Sequence, residues 1–174
     1  MTERLQPEPW LRESLRDVPP VARAVLHALQ LAEEDLASWC GGLDAQELNS
    51  RPGRLPSVAF QIRHIARSVD RLLSYAEGRQ LDEVQIAALK AEMDDDAEPD
   101  EVFAELTGMI ERAARRIREL ASEDLEVKRV VGRKKLPTTL GGLLVHVADH
   151  TQRHVGQAIT TAKIVRGSKT EAAK

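Results

Sequence analysis

The chain has 174 residues, of which 25 are Lys or Arg and 28 are Asp or Glu, and its net charge is −3. This length fits one domain with a sizeable core. The near balance of charge offers no broad positive field for a nucleic-acid backbone, so we expect no DNA or RNA partner. Aromatic residues make up only 3% of the chain. The core must therefore be built from Leu, Ile, Val and Ala, which favours packed helices over a β-sandwich.

The sequence indicates neither export nor membrane insertion. Residues 1–7 carry charge and proline where a signal peptide needs an apolar stretch. No apolar run approaches the roughly 20 residues that cross a bilayer. Cys40 is the single cysteine, which excludes an internal disulfide. We therefore expect a cytoplasmic protein that does not associate with membranes.

The first third of the chain predicts an arm, a helix and a loop. Residues 1–19 are rich in proline and charge and predict an N-terminal arm. From Pro20, apolar residues recur at helical spacing until Gly41, which predicts a first long helix. Residues 43–56 contain Asn, Pro and Gly and predict a loop along the side of the domain.

The middle of the chain predicts two more long helices. Ser57 is a favourable N-cap for a second helix, whose apolar stripe ends at Gly78. Residues 81–93 are weakly helical, and the acidic run 94–96 predicts a solvated break. Residues 100–120 then form an amphipathic pattern with Arg and Glu on the outer face, which predicts a third helix.

A polar segment precedes the last helix. Residues 127–137 fit either a short hairpin that turns at Gly132 or an irregular loop. Helical spacing resumes at Thr138 or Thr139 and continues to about Val165.

Together these elements predict an all-α protein. Four long amphipathic helices without central strands favour a four-helix bundle, in which metals and cofactors commonly lie between facing helices. We expect one bundle domain over residues 20–166 with long crossover connections. In the hairpin interpretation, a short hairpin precedes the last helix. We expect residues 167–174 to form a disordered tail.

Three histidines, His146, His150 and His154, follow one another at four-residue spacing. Side chains four apart on a helix lie one turn above another, so two such imidazoles can hold one divalent transition metal ion. His154 falls inside the apolar stripe, His150 lies at its edge, and His146 projects from the flank. Burying an imidazole is costly unless its nitrogens are satisfied, and a metal satisfies one of them. We therefore predict His150 and His154 as ligands, the alternative being ordinary core histidines bonded to backbone or a carboxylate.

Two ligands from one helix do not close a tetrahedral site, so a third must come from elsewhere. The spacing does not decide between His27 and His64. Gln61 and Ser68 lie one helical turn on either side of His64, and this polar strip faces either something polar or water.

Three side chains are candidates to support the ligands from a second layer. Gln157 follows His154 by three residues on the same flank, where it can offer a hydrogen bond. Gln61 lies one turn before His64, and His146 one turn before His150.

The residues around these histidines resemble a known family. His64 lies in Gln-Ile-Arg-His-Ile-Ala-Arg-Ser-Val-Asp, and the pair lies in His-Thr-Gln-Arg-His-Val-Gly-Gln, ending at Gln157. These motifs resemble the DinB/YfiT-like proteins over roughly residues 20–166. The resemblance implies a four-helix bundle in which one histidine of the second helix and a pair from the last helix bind a divalent metal. Carried over residue by residue, the ligands are His64, His150 and His154.

One departure from the family pattern concerns the substrate pocket. Family members commonly have another histidine or an arginine beside the final ligand. Here Arg153 precedes His154 and Val155 follows it. The metal triad is unaffected by this difference.

The resemblance also implies an activity. Three histidines with a fourth position open to water are typical of a catalytic metal site, in which metal-bound water acts and no catalytic side chain is assigned. Related proteins carry out thiol-dependent transfers, including mycothiol-dependent maleylpyruvate isomerase and bacillithiol transferases. Thiol transfer to a small-molecule substrate is our first expectation. Cys40 is more simply a small packed residue, so a low-molecular-weight thiol would be the cosubstrate.

Two alternatives remain open. One is a metal-dependent hydrolase, for which the adjacent Asp149 is a poor general base because it points about 100° away from His150. The other is a non-catalytic, stress-associated binding protein.

Imidazole ligands suit Zn and Ni first, with Fe, Mn and Cu also accommodated. Members of the family often pair, so a homodimer is a further expectation.

Overall fold

A computed structural model of the chain describes residues 6–94 and 96–172, with side chains as far as residue 168. In these ranges the chain forms six α-helices, which are α1 Pro20–Cys40, α2 Ala45–Asn49, α3 Val58–Ala76, α4 Glu83–Lys90, α5 Pro99–Leu120 and α6 Leu140–Ala172. Two strands, β1 Lys128–Val131 and β2 Leu136–Thr139, form a small antiparallel sheet. Single 3-10 turns lie at Pro9–Leu11, Pro52–Arg54 and Ala91–Met93.

The core lies between the four long helices. Helix α3 packs against α5 and α6, and α1 packs against the same two helices. Their apolar stripes meet in a cluster of completely buried side chains, which includes Leu29, Leu36, Ile62, Ile65, Leu73, Ile117 and Leu144. Complete burial of one such side chain contributes about 1.5–3 kcal/mol, so this cluster is the main source of stability. The structure is mostly helical, as expected.

The helix boundaries follow local signals in the sequence. Helix α1 begins with Pro20 and ends before Gly41. Ser57 caps α3, since its Oγ accepts a hydrogen bond from the backbone N–H of Phe60 at 3.1 Å. These two predictions are confirmed.

The predicted loop over residues 43–56 contains the short helix α2, so the loop prediction is wrong in part. The reason is a capping box. Asp44 accepts a hydrogen bond from the backbone of Glu47 at 2.8 Å, and Glu47 accepts one from the backbone of Asp44 at 3.0 Å. Two N–H groups at the helix start are thereby satisfied.

A second capping box, formed by Asp82 and Gln85, starts α4 in the weakly helical segment. Helix α4 ends at Lys90, and the 3-10 turn Ala91–Met93 follows directly. This turn carries Glu92 into the interior, where only 3% of the residue is exposed.

The hairpin interpretation of residues 127–137 is confirmed. Val130 lies opposite Pro137, and Val131 lies opposite Leu136. Gly132 has a φ of +71°, a conformation that glycine adopts without the cost of a side chain. The irregular-loop interpretation is therefore wrong.

The two ends of the chain differ in their packing. The arm is fastened to α1, because Arg12 donates two hydrogen bonds to the carboxylate of Glu34, at 2.6 and 2.7 Å. Helix α6 continues to Ala172, beyond the expected end near Val165. A single Gly167 costs only about 1 kcal/mol in a helix. Residues 1–5 and 173–174 of the predicted arm and tail lie outside the described residues.

None of the described helices has the length and apolar character that a bilayer-spanning helix needs.

Candidate metal centre

Three histidines from two helices meet in the structure. His64 projects from α3, and His150 and His154 project from α6. One ring nitrogen from each lies within 4.8 Å of the other two. The Nε2 atoms of His64 and His150 are 3.0 Å apart. His27 is elsewhere, buried on α1 with its Nε2 3.0 Å from the hydroxyl of Ser14. The structure therefore joins His64, and not His27, to the predicted pair.

Glu92 orients the ring of His64. The Nδ1 atom of His64 donates a hydrogen bond to one carboxylate oxygen of Glu92 at 2.7 Å. An ionised carboxylate only accepts, so Nδ1 carries a proton, and in the neutral ring Nε2 keeps its lone pair. The other carboxylate oxygen accepts from Arg71 at 2.5 Å.

Glu92 stays ionised despite its burial. Burial raises the pKa of Glu92, but hydrogen bonds from His64 and Arg71 together outweigh that effect and hold the pKa below its ordinary value. A buried negative charge thus lies directly behind the His64 ring. Such a charge increases the basicity of the opposite ring nitrogen.

Gln61 performs the same orienting task for His154. The Nδ1 atom of His154 donates to the side-chain oxygen of Gln61 at 2.6 Å. This leaves Nε2 of His154 without a proton when the ring is neutral. Gln61 and Ser68 are both buried. The polar strip on α3 therefore faces the interior and not water.

The two histidines of α6 are neutral at physiological pH. Burial lowers the pKa of His150 to about 4, and the neighbouring rings of His154 and His64 act in the same direction. Burial also lowers the pKa of His154 to about 4, assisted by His64 and Arg153 and opposed by a hydrogen bond to Gln157. Neutral imidazoles have the free lone pairs that a metal requires.

The three rings fit a divalent transition metal. Their donors are imidazole nitrogens, which suit Zn, Ni, Fe and Cu. Tetrahedral Zn–N bonds of about 2.0 Å place ligating nitrogens about 3.3 Å apart. The Nε2 atoms of His64 and His150 already lie 3.0 Å apart. A metal held between these two nitrogens would therefore require only a small increase in their separation.

Of the other predicted residues, His146 and Asp149 lie beside the three histidines. The ring centroid of His146 is 5.4 Å from that of His150, and its side chain is half exposed. Asp149 pairs with Arg153 at 2.7 Å on the surface of α6. Asp149 therefore points away from the candidate ligands, as its position on the helix predicts.

The sequence prediction omitted three residues around His64. Phe60 stacks on the His64 ring, with centroids 5.4 Å apart. Arg71 continues the polar strip by one more helical turn beyond Ser68. This helical spacing is the sequence signal by which Arg71 could have been predicted. Glu92 belongs to a short 3-10 turn without periodicity, so no comparable signal was available.

Cys40, the last residue of α1, is buried, as expected of a packed residue. Burial raises the pKa of the Cys40 thiol to about 12. At neutral pH this thiol is not a nucleophile.

Comparison with known proteins places the whole centre inside one family. A sequence profile of the DinB superfamily matches residues 28–158, which include all three candidate ligands. No curated protein matches the chain. The chain therefore belongs to the DinB superfamily.

Proposed function

We propose that this protein is a metal-dependent enzyme built on a four-helix bundle, in which His64, His150 and His154 hold one divalent transition metal. Zinc or nickel is the first choice for this donor set. The observation that carries the proposal is the orientation of the rings. Glu92 and Gln61 occupy the outer nitrogens of His64 and His154, which directs both Nε2 atoms to the same region as His150.

The residues around the triad support a binding role. A divalent metal held by three imidazoles offers a fourth position, where it lowers the pKa of a coordinated water or thiol. Glu92 and Gln61 hold the rings in the required tautomers. Arg71 keeps Glu92 ionised, and Phe60 covers one face of His64.

The carboxylates near the centre favour thiol transfer over hydrolysis. Hydrolysis needs a general base near the attacking water. Both oxygens of Glu92 are engaged by His64 and Arg71. Asp149 is paired with Arg153. Thiol transfer makes no such demand, because a metal-activated thiol is itself the nucleophile.

We therefore propose transfer of a low-molecular-weight thiol, since buried Cys40 does not supply one. The sulfur forms a bond to an electrophilic carbon of a small substrate. The bond from that carbon to its leaving group breaks, and the leaving group departs with the electron pair. The thiol proton goes to water.

Cobalt substitution tests this proposal. The protein is loaded with Co²⁺ and titrated with 2-mercaptoethanol while the near-ultraviolet absorbance is recorded. We expect a sulfur-to-cobalt charge-transfer band in the wild type and in the His27→Gln control, because His27 is remote from the triad. The His154→Ala variant should show no band. Cobalt bound without a thiol band would contradict thiol transfer, and failure to bind cobalt would favour a non-catalytic protein.

A further inference from the structure

A cleft of about 320 Å³ lies next to His154, between the segment that precedes α3 and the middle of α6. Gln61 and Gln157 both line it. Gln61 accepts a hydrogen bond from His154, and Gln157 lies near enough to that ring to raise its pKa. The cleft and the candidate metal centre therefore share two side chains.

Gln61 presents unused donors to this cleft. Only 1% of the residue is exposed, and its oxygen is occupied by His154. Among the described residues its side-chain NH₂ group makes no hydrogen bond, and this group reaches the accessible space of the cleft and is not sealed in the core. A ligand with an acceptor oxygen would satisfy this amide.

The described side chains that line the cleft include a positive charge and no negative charge. Arg153 lies at its rim, and no Asp or Glu from the described part of the chain lines it. The Arg153 guanidinium already holds one carboxylate, that of Asp149, at 2.7 Å. Its planar donors match the geometry of a carboxylate. The cleft therefore favours an anion.

The remaining walls are apolar or open. Leu55 and Pro56 lie on one side. Gly156 lies on the other, and a Cβ atom built there meets no heavy atom within 4 Å. The glycine thus leaves space, and a larger side chain would project into the cleft.

We propose that this cleft binds a small organic acid as its anion, with the carboxylate at Arg153 and the amides of Gln61 and Gln157 and the carbon chain over Leu55 and Pro56. The identification of this acid as the substrate rests on the proposed function. Binding of the acid itself requires no metal.

The test compares hexanoate with hexanamide, which has nearly the same shape but no charge. Each is titrated into metal-free, isotope-labelled protein, and the NMR signals of the Gly156 backbone amide and the Gln61 and Gln157 side-chain amides are followed. We expect saturable shifts with hexanoate and binding of hexanamide about tenfold weaker, because a charged hydrogen bond is lost. Equal binding of both compounds, or no shift with hexanoate, would overturn the proposal.

Substitutions of single residues around the cleft test where the anion binds. Arg153→Gln should weaken hexanoate binding about tenfold. Asp149→Asn should strengthen it, because the competing internal carboxylate is removed. Gly156→Leu should abolish binding by filling the cleft. The matched control is Arg115→Gln, which removes an exposed arginine on α5 and should change nothing. An Arg153→Gln protein that binds hexanoate as tightly as Arg115→Gln would also overturn the proposal.

Zinc uptake by separate portions of the same preparations, measured after incubation with zinc, separates this inference from the proposed function. A protein that binds zinc but gives no hexanoate shifts would refute the acid-binding cleft alone. Hexanoate shifts in a protein that takes up no zinc would refute the metal-dependent enzyme and leave the cleft standing.

Discussion

Glu92 accepts a hydrogen bond from Nδ1 of His64 at 2.7 Å, which joins the turn before α5 to the candidate metal centre. The same carboxylate accepts from Arg71 at 2.5 Å, and only 3% of Glu92 is exposed. A carboxylate behind a ligating histidine fixes its tautomer and increases its basicity. The segment between α4 and α5 is therefore part of the centre and not only a connection.

Replacing Glu92 should weaken metal binding. We expect Glu92→Gln to reduce zinc affinity by about 10–100-fold, because the neutral amide no longer increases the basicity of His64. Competition with a chromophoric chelator measures this change. Glu105→Gln is the matched control. Glu105 lies on α5 and pairs with Arg67 of α3, the helix that carries His64, but it does not contact a histidine. Equal zinc affinity in the Glu92→Gln and Glu105→Gln proteins would contradict a supporting role for Glu92.

The Arg71–Glu92 pair should show strong coupling in stability. Both residues are buried, so Arg71→Met leaves a buried carboxylate without one of its two partners and should cost about 3–5 kcal/mol. The double variant Arg71→Met, Glu92→Gln should cost clearly less than the sum of the two single changes. Urea unfolding of the metal-free proteins measures all three. Additive costs would show that the two charges do not stabilise each other.

Thr151 has a buried hydroxyl without a hydrogen-bond partner among the described residues. Valine has nearly the same shape and no polar atom to desolvate. Thr151→Val should therefore raise the free energy of unfolding by about 1 kcal/mol. Thr161→Val is the control, because the Thr161 hydroxyl donates to the backbone oxygen of Pro56. A loss of stability in Thr151→Val would mean that this hydroxyl does have a partner.

His27 should make the metal-free protein less stable in mild acid. Burial lowers the pKa of His27 below its ordinary 6.5, and the charges of Arg23 and Arg12 act in the same direction. The unfolded chain then binds a proton at higher pH than the folded chain. The stability contribution is complete above pH 6.5 and is lost as the pH falls through the lower folded pKa.

Urea unfolding at about pH 7.5 and about pH 5.5 tests this prediction. The wild type should lose more stability than His27→Gln between the two values. His150 and His154 titrate in both proteins, so their contribution cancels in the comparison. An equal loss in both proteins would show that His27 is not responsible.

Local patterns predicted much of the fold. The apolar stripes located the four long helices, and Ser57 located the start of α3. The capping box of Asp44 and Glu47 was also present in the sequence, although the Pro and Gly residues that follow it obscured the short helix α2. The end of α6 was missed because a single Gly167 weakens a helix without stopping it.

The candidate centre was predictable only in part. His150 and His154 were found because side chains four apart on one helix share a face. Periodicity does not reveal which helices are neighbours, so it could not choose between His27 and His64. That choice came from the family resemblance. Glu92 was not found, because its place depends on how a non-periodic turn packs against α3.

The most direct measurement is the zinc content of the purified chain, determined by elemental mass spectrometry after zinc incubation and removal of unbound metal. The wild type and the His27→Gln control should each retain about one zinc per chain. The His64→Ala and His154→Ala proteins should each retain almost no zinc. The two substitutions lie on different helices, so a shared loss of zinc would point to one site formed by both helices. A wild type that stays empty, or variants that keep their zinc, would contradict a metal centre formed by His64, His150 and His154.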